Sequence, residues 1–378
     1  MYMRMTMEQK IKVLMVVFNL SVANGVSSYV MNYFRNLDHN KIIMDFVVYQ
    51  DVETPYYKEI RNYGGHIFKI PSIKNLYSHM NVSRKIILQG HYDIVHDNIL
   101  ILSYFIMHYA KKYKVPVRIL HSHSSRFSGS KYKALRNKIF MPFLLHTITD
   151  KFACSKAAAR GMFHDSNCIL VPNVVSSQNF SFDVSMREKI RQKMKVQNQF
   201  VIGSVGRMAI EKNPIFAIKT IIELAQVIPN LQYWWIGDGP LMDEVKTLIM
   251  DNQADQYIRL FGNRNDVADL YQAMDIFFLP SLFEGLPVTA LEAQAAGLQC
   301  LVSDTVSNEF VYTDLVTFFS LNDDTKKVID IIYSLLGKKY NRSMYTRYLQ
   351  ESRFSDINAG AKLFQIYHDI IKKGENYN

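Results

Sequence analysis

A strand–loop–helix–strand pattern over residues 275–304 constrains the fold of this chain more than any other feature. The apolar run 276–279 predicts a buried strand. After a short loop, Pro287 at the first helical position predicts a helix, which stops at Gly297. The apolar run 300–302 predicts a second strand. Two strands joined by a helix in this way predict one unit of a parallel sheet.

Two carboxylates mark a candidate ligand site in this unit. Glu284 lies in the loop after the first strand, and Glu292 lies further on in the helix. Open parallel sheets bind ligands at the carboxyl ends of their strands, and N–H groups at a helix N-terminus bind anions. The N–H groups of Gly285, Leu286 and Val288, beside carboxylates that accept hydrogen bonds from hydroxyls, therefore predict a nucleotide-sugar site. In the alternative, Glu284 is only a favourable first-turn acid and Glu292 a solvated helix residue.

The distribution of charge predicts two halves with different partners. Residues 1–175 contain 23 Lys and Arg against 10 Asp and Glu, a net charge of +13, whereas the remainder contains 21 against 24, a net charge of −3. The basic half predicts an anionic partner, which is a membrane surface, a phosphorylated acceptor or nucleic acid. The stacking-aromatic pattern of the common RNA-binding modules is not apparent, so nucleic acid is the weaker expectation.

Length and composition predict two domains in a reducing cytoplasm. A chain of 378 residues with 48% hydrophobic residues can form two cores. Cys154, Cys168 and Cys300 give neither a disulfide framework nor a metal-ligand spacing. The N-terminal residues lack an apolar signal region, and the apolar run 98–110 is too short to cross a bilayer. We therefore expect a cytoplasmic protein, attached peripherally to the inner face of the plasma membrane if the basic half binds lipid.

Strands and helices alternate through both halves, which predicts an α/β protein with two doubly wound parallel sheets. The predicted domains are residues 1–175, 176–355 and a C-terminal helical segment, 356–378. The polar residues 176–185 are interpreted as the linker. Predicted strands cover 12–18, 44–49, 66–70, 94–96, 117–120, part of 147–154, 168–171, 200–204, 233–236, 258–261, 276–279 and 300–302. One helix is predicted over 98–112, and beyond residue 304 only two helices are predicted, over 325–336 and 357–373.

Two cations follow a predicted strand of the second half and suit a diphosphate. Arg207 comes directly after Gly206 at the strand end, and Lys212 lies next to a helix start. A guanidinium binds phosphate bidentately, and a glycine lets the phosphate approach the backbone closely. Taken singly, Arg207 and Lys212 are more often ordinary surface charges than ligand-binding groups.

Two further strand-end loops are weaker candidates. Gly237 belongs to a Gly-Asp-Gly turn, whose composition indicates a structural role first. Asn263 and Asp266 lie where a base or ribose could be recognised. The alternative for this second loop is a polar turn with a helix cap at Asp266.

In the first half, the turn containing Gly25 precedes a predicted helix and could admit an anionic or sugar ligand. His121 and His123 end a strand in a Ser-rich loop. A metal pair there lacks a third ligand at useful spacing, so a hydrogen-bonding histidine is the better interpretation. The chain contains no Asp-x-Asp, the usual arrangement for holding a divalent cation on a nucleotide diphosphate. We therefore predict no metal site and no cofactor apart from the donor substrate.

The motifs of the second half resemble those of the retaining family-four glycosyltransferases, over most of residues 200–304. They are Gly206-Arg207, Glu211-Lys212, Gly237-Asp238-Gly239, and Glu284 with Glu292 in FEGLPVTALE. The first half matches more loosely, through Asn24-Gly25-Val26, His121-Ser122-His123 and Val171-Pro172-Asn173. Many members carry two glycines in the first of these loops, where this chain has Asn24-Gly25; asparagine also tolerates left-handed backbone. The pattern is similar to bacterial enzymes that build capsular, exo- or lipopolysaccharide.

The resemblance implies the GT-B fold, with two facing Rossmann-like domains and a final helix that crosses back to the first. It implies that Arg207 and Lys212 bind the donor diphosphate, that Glu292 binds the ribose hydroxyls, and that Glu284 lies by the donor sugar. It also implies a first-domain histidine at the transferred sugar, which we assign to His123 with His121 as the alternative.

These observations predict a retaining, metal-independent glycosyltransferase that moves a sugar from a nucleotide-diphosphate sugar, with UDP expected, to a glycan or lipid-linked acceptor. One rival is a nucleotide-sugar epimerase of the same fold. Another is a non-catalytic partner that binds a membrane or nucleic acid. The predicted catalytic residues are His123, Arg207, Lys212 and Glu284. The predicted donor-binding residues are Gly25, Gly206, Arg207, Lys212, Gly237, Asn263, Asp266, Glu284, Gly285, Leu286, Val288 and Glu292.

Overall fold

The structure is a computed structural model that describes residues 10–21, 25–127, 131–164, 167–338 and 340–375, without the side chains of 131–134 and 375. The chain forms two compact units. The first contains the described residues up to Pro172 together with those from Asp356 onwards, and the second is Asn173–Ser355.

A seven-stranded parallel sheet forms the centre of the first unit, in the order β3-β2-β1-β4-β5-β6-β7. Its strands are β1 (Ile11–Val17), β2 (Ile42–Val48), β3 (Ile67–Lys69), β4 (Ile94–Asp97), β5 (Val117–Ser122), β6 (Asp150–Ala153) and β7 (Ile169–Leu170). The helices that alternate with them are α1 (Gly25–Arg35), α2 (Pro55–Asn62), α3 (Leu76–Gly90), α4 (Tyr104–Lys112), α5 (Lys131–Leu145) and α6 (Lys156–Phe163). The strands β1, β2, β4 and β5 are mostly buried on both faces, as expected of a sheet covered by helices on both sides.

The second unit repeats this plan with a six-stranded parallel sheet in the order β10-β9-β8-β11-β12-β13. Its strands are β8 (Phe200–Val205), β9 (Leu231–Ile236), β10 (Ile258–Gly262), β11 (Ile276–Leu279), β12 (Gln299–Ser303) and β13 (Val316–Phe319). Its helices are α7 (Ser177–Phe180), α8 (Val184–Met194), α9 (Pro214–Ala225), α10 (Met242–Asp251), α11 (Val267–Ala273), α12 (Val288–Ala295), α13 (Thr325–Leu335) and α14 (Tyr345–Glu351). In both sheets the strand order reverses beside the first strand, which is where doubly wound sheets bind ligands.

The last helix, α15 (Ala359–Glu375), belongs to the first unit. Its buried side chains include Leu363, Tyr367 and Ile370. A Cβ added at Gly360 would lie 1.7 Å from the carbonyl oxygen of Asn36, so glycine lets this helix approach the end of α1 closely. None of the helices within the described ranges has both the length and the apolar composition needed to cross a membrane.

The predicted fold class is confirmed, and most strand bounds agree within one or two residues. Two element predictions are wrong, and two elements were missed. Residues 98–112 do not form one helix, because the Asp97 carboxylate accepts the N–H of Ile99 at 2.9 Å and the hydroxyl of Ser103, which shapes a 3-10 turn over Leu100–Ser103 before α4 begins. The expected linker 176–185 contains α7 and the start of α8. The strand β13 and helix α14 beyond residue 304 were not predicted.

Candidate active site

Two loops of the second unit meet at the carboxyl ends of β8 and β11. One follows β8 and contains Arg207 and Lys212, and the other follows β11 and contains Glu284. The N–H of Leu282 donates to the carbonyl of Glu211 at 2.8 Å and joins the two loops directly. The β8 and β11 strands are neighbours in the sheet. The topology therefore brings together the two motifs that the sequence singled out separately.

Lys212 and Glu284 form a salt bridge. Nζ of Lys212 lies 2.5 Å from Oε1 of Glu284, and the two side chains retain only 16% and 14% of their exposure. The hydroxyl of Ser281 donates to the same carboxylate oxygen at 2.7 Å. Charge-assisted hydrogen bonds in a partly desolvated place are strong and directional, so this ammonium group is held in one position.

Arg207 is exposed, and its side chain has no hydrogen-bond or ion-pair partner in the part of the chain that the structure describes. It is a cation available for an external anion. Gly206 before it has φ +155°, and a Cβ there would lie 3.1 Å from Cε of Lys212. Gly206 therefore leaves the backbone accessible beside both cations.

Gly237 packs closely against the backbone of the loop that contains Gly206 and Arg207. It has φ +133°, and a Cβ there would lie 2.1 Å from the carbonyl oxygen of Gly206. A Cβ at Gly239 would lie 2.4 Å from the carbonyl oxygen of Met208, whose N–H donates to Asp238 at 3.0 Å. The Gly-Asp-Gly turn thus packs against the Gly206–Met208 backbone, and these contacts give Gly237 the structural role that its composition indicated.

The chain from Gly285 to Val288 leads into α12. Within the described ranges, the N–H groups of Leu286 and Val288 donate to no protein acceptor. Asn173 fixes the orientation of this segment, because its amide nitrogen donates to the carbonyl of Leu286 at 2.7 Å. Asn173 was not among the predicted site residues. The only sequence signal was its place in the Val-Pro-Asn motif. The helix begins at Val288, one residue later than predicted, with Pro287 at the N-cap.

Glu292 projects from α12 and is a carboxyl group with a raised pKa. Burial raises the pKa of Glu292 to about 8, against the lowering effects of the hydrogen bond from Tyr271 and the positive charge of Lys212. The Tyr271 hydroxyl is 3.2 Å from Oε2 of Glu292 and also donates to the carbonyl of Thr289. With this pKa, the Glu292 carboxyl is mostly protonated at neutral pH and can both donate and accept hydrogen bonds.

The loop after β10 contains one exposed candidate residue and one whose carboxylate forms an ion pair. Asn263 is exposed. Asp266 occupies the N-cap position of α11 but makes no side-chain cap, because its carboxylate receives two hydrogen bonds from Arg264, at 2.7 and 2.5 Å. This ion pair lowers the pKa of Asp266. Asp266 thus occupies the predicted position at the start of the helix, but its side chain does not cap the helix.

In the first unit, His123 and Asn98 meet at the ends of β5 and β4. Nε2 of His123 lies 2.8 Å from Oδ1 of Asn98. The amide nitrogen of Asn98 lies 3.2 Å from the carbonyl of Val16, which can only accept, so the amide oxygen must point to His123. His123 therefore carries its proton on Nε2 and leaves Nδ1 as an acceptor. His121 is fully buried beneath it, with ring centroids 4.2 Å apart, whereas His123 is partly exposed.

A third histidine, His96, was not predicted and completes the cluster. Its Nε2 lies 3.0 Å from Nδ1 of His121, and its Nδ1 lies 2.7 Å from the hydroxyl of Tyr367 in α15. Burial lowers the pKa of His96 and of His123 to about 3, and lowers the pKa of His121 well below its ordinary value. The cluster is neutral at physiological pH.

Gly25 begins α1, directly after residues 22–24, so Asn24 of the predicted turn lies outside the described residues. Among the described residues, a Cβ at Gly25 would meet no atom within 4 Å. Among the described residues, no group of three or more His, Cys, Asp and Glu side chains could hold a metal ion.

Two doubly wound parallel sheets are the architecture of GT-B proteins, and comparisons with known proteins agree. Residues 199–338 match the family described as "Glycosyl transferases group 1". EpsF of Bacillus subtilis (strain 168), a glycosyltransferase by name, is 30% identical over 311 residues, covering 79% of this chain and 81% of EpsF. The Escherichia coli UDP-Gal:alpha-D-GlcNAc-diphosphoundecaprenol alpha-1,3-galactosyltransferase is 38% identical over 154 residues, covering 37% of this chain and 39% of that protein.

The solved structures agree on the fold. Anabaena Alr3699/HepE in complex with UDP superposes with a TM-score of 0.75 at 16% identity, covering 96% of this chain and all of that one, 100%. The chain belongs to the glycosyl transferases group 1 family and is a glycosyltransferase. The predicted family and enzyme class are confirmed, and the roles of individual residues stay predictions.

Proposed function

We propose that this enzyme transfers a sugar from a UDP-sugar to a glycan or lipid-linked glycan acceptor in cell-surface polysaccharide synthesis, with retention of configuration and without a metal ion. The observation that carries the proposal is the contact of Lys212 with Glu284, in the same loop as Arg207, whose side chain has no partner among the described residues. In a nucleotide-sugar the diphosphate is bonded directly to the sugar. A diphosphate-binding cation that touches a sugar-binding carboxylate fits that geometry.

In this proposal the leaving diphosphate is stabilised by two cations and by backbone amides. Negative charge develops on the phosphate oxygens as the glycosidic bond breaks. Arg207, Lys212 and the N–H groups of Leu286 and Val288 are preorganised to receive it. Their charges take the place that a divalent cation would otherwise fill. The proposed base and ribose contacts are Asn263, Asp266 and Glu292, and Asp266 would have to share its carboxylate with Arg264.

The proposed retention rests on the resemblance to the retaining enzymes. No general base is assigned, because in a front-face reaction the leaving phosphate oxygen can take the proton of the acceptor hydroxyl. His123, with Nδ1 as an acceptor, is proposed to bind a hydroxyl of the transferred sugar. Neutral histidine suits that role, because its Nδ1 can accept a hydrogen bond from a hydroxyl group.

The proposed acceptor follows from the relatives and from the basic first half. The Escherichia coli relative acts, by its name, on a sugar carried by diphosphoundecaprenol. An acceptor anchored in a bilayer suits the net charge of +13 over residues 1–175, because anionic lipids attract such a surface. We propose peripheral attachment to the cytoplasmic face of the membrane, and binding to nucleic acid is not proposed.

The test combines donor binding with product analysis. Calorimetry should detect UDP binding to the wild type without added metal. Mass analysis with UDP-sugars and lipid-linked acceptors should detect transfer. Lys212→Ala should lower turnover about 10²-fold or more while the fold survives, and Lys219→Ala, an exposed lysine on α9, is the matched control. Wild-type turnover in Lys212→Ala would refute the site. A rearranged nucleotide-sugar formed without acceptor would instead identify an epimerase.

A further inference from the structure

The outward face of α5 is an exposed apolar surface. Leu135, Ile139, Phe140 and Phe143 retain 60%, 56%, 50% and 58% of their exposure. Leu135, Ile139 and Phe143 follow each other at intervals of four residues, so they form one stripe along the helix, and Phe140 lies beside it. We call these four residues the α5 apolar face.

The core of the first unit does not explain this surface. The opposite side of α5 attaches the helix, through Met141 at 5% exposure and Leu144 at 0%, to a cluster that includes α4. A surface helix whose only task is to cover a core has polar residues on its outer side. Large apolar residues on both sides of α5 indicate a second apolar partner outside the unit.

The charge around the α5 apolar face has one sign. Residues 98–149 contain no Asp or Glu. The Lys and Arg in this segment are Lys111, Lys112, Lys114, Arg118, Arg126, Lys131, Lys133, Arg136 and Lys138. Arg136 and Lys138 are exposed on α5 itself. Nζ of Lys111 donates to the carbonyl of His146 at 2.9 Å, so the basic end of α4 adjoins the end of α5.

We propose that the α5 apolar face inserts into the headgroup boundary of an anionic lipid bilayer, with Arg136 and Lys138 contacting the lipid phosphates. This deepens the proposed function by naming the surface, and only the access to a lipid-linked acceptor rests on that function. Exposed Leu, Ile and Phe beside cations, with no acidic residue in the segment, match a helix that lies in a bilayer interface. A protein partner fits less well, because lysine is depleted from protein interfaces.

Vesicle binding without nucleotide tests the surface. The wild type should sediment with phosphatidylcholine vesicles that contain phosphatidylglycerol, bind neutral vesicles weakly, and dissociate as salt is raised. The triple variant Leu135→Ser, Ile139→Ser, Phe143→Ser should reduce the partition coefficient at least about tenfold, because each side chain loses its transfer from water. Arg136→Glu with Lys138→Glu should remove the preference for anionic lipid.

Matched controls lie on other helices of the same unit. Leu76→Ser, Tyr77→Ser and Leu88→Ser replace exposed apolar residues of α3, and Lys58→Glu with Lys85→Glu reverses exposed cations on α2 and α3. Both control variants should bind vesicles as the wild type does, apart from a small general effect of net charge. An equal loss of vesicle binding in the control and α5 variants would overturn the assignment of the membrane contact to α5.

A tryptophan reporter measures insertion directly. Phe140→Trp should be quenched by lipids brominated on their acyl chains. The natural Trp234 and Trp235 are buried in the second unit and should not be quenched. Absence of quenching, or vesicle binding by every α5 variant, would refute the proposal; saturable binding to a protein but not to vesicles would assign the face to a protein partner. UDP binding is measured on the same variants. It distinguishes failure of the membrane proposal from failure of the proposed donor site.

Discussion

Nζ of Lys212 and Oε1 of Glu284 lie 2.5 Å apart, although 72 positions separate the two residues in the sequence. The contact neutralises a lysine that the proposed function assigns to the diphosphate. Without nucleotide, Glu284 holds Lys212 in place. In the proposed site, phosphate oxygens would share that ammonium group, so Glu284 would influence both donor binding and the position of the sugar.

Glu284→Gln tests this double role. The amide keeps the shape of the side chain and can still accept from Ser281, but it removes the charge that competes for Lys212. We expect UDP to bind as tightly as to the wild type or a few-fold more tightly, while turnover falls about 10²-fold because the sugar loses a charged partner. Calorimetry and a turnover assay measure the two effects. Glu223→Gln, an exposed residue of α9, is the control, and unchanged turnover in Glu284→Gln would contradict the assignment.

Gly237→Ala should weaken donor binding through the backbone. The new Cβ would lie 2.1 Å from the carbonyl of Gly206, so the loop that carries Arg207 must shift. We expect UDP affinity to fall at least about tenfold, because misplaced charges lose their alignment with phosphate. Gly337→Ala is the control: it also has positive φ, +75°, but a Cβ there meets no atom within 4 Å. Similar UDP affinity in the two variants would show that the turn does not position the loop.

Glu292 should make stability and UDP binding depend on pH. Its folded pKa, about 8, is above its ordinary value of 4.5, so the folded state retains a proton that the unfolded state releases. Stability relative to Glu292→Gln should fall as the pH rises from about 4.5 to 8 and change no further above that range. If ribose hydroxyls donate to the ionised carboxylate, UDP affinity should rise from pH 7 to 9. Thermal unfolding and calorimetry check both, and identical pH profiles for the variant and the wild type would refute this account.

The neutral histidine cluster should make the first unit sensitive to acid. The folded pKa values of His96 and His123, about 3, lie below the unfolded value of about 6.5. The stability of the neutral cluster is present above about pH 6.5 and is lost as the pH falls towards 3. The free energy of unfolding from urea titrations followed by circular dichroism should therefore fall between pH 7 and 5.

The matched variants for the histidine prediction are His96→Gln and His108→Gln. Glutamine at position 96 cannot be protonated, so the slope of stability against pH should decrease by up to about 1.4 kcal/mol per pH unit. His108 is exposed on α4, and its replacement should keep the wild-type slope. Equal slopes in both variants would show that the cluster is protonated without penalty.

Asp275 should be a main determinant of the stability of the second unit. Its carboxylate pairs with Arg187 at 2.5 Å and Arg191 at 3.2 Å, and it also accepts the N–H of Val201 at 2.8 Å. Asp275→Asn leaves two partly buried guanidinium groups without their anion, at a cost of about 3 kcal/mol.

Unfolding of Asp275→Asn can be followed by the fluorescence of Trp234 and Trp235, which are buried in the same unit. The control is Glu351→Gln, which breaks an exposed pair with Arg347 and should change stability by less than about 0.5 kcal/mol. If Asp275→Asn lost as little stability as the control, the backbone carbonyls alone would be sufficient to stabilise the two arginines.

The sequence predicted the fold class well because parallel strands are short apolar runs punctuated by Gly and Pro. Lys212 and Glu284 could be predicted as neighbours for the same reason, since the carboxyl ends of adjacent strands share one edge of the sheet. The strand β13 was missed. Thr317 interrupts the apolar run Val316–Phe319, so this strand lacks the continuous apolar signal of β11.

The partners that orient the site could not be predicted from local patterns. Asn173 reaches Leu286 over 113 positions, and Asn98 reaches His123 over 25. Such contacts depend on how loops from different strands converge, which periodicity does not encode. The contact of Asp266 could not be predicted either. An aspartate at a helix start can cap the helix or pair with a nearby arginine, and here it pairs with Arg264.

The hydrogen bond between His96 and Tyr367 spans 271 positions and closes the interior of the first unit with residues made after the second. During synthesis on the ribosome, Asn173–Ser355 is complete before α15 emerges. The second unit can therefore fold first, while the first unit still lacks α15. A chain cut within the segment before α15 would be expected to keep a folded second unit and to expose an unfinished first one to chaperones and proteases.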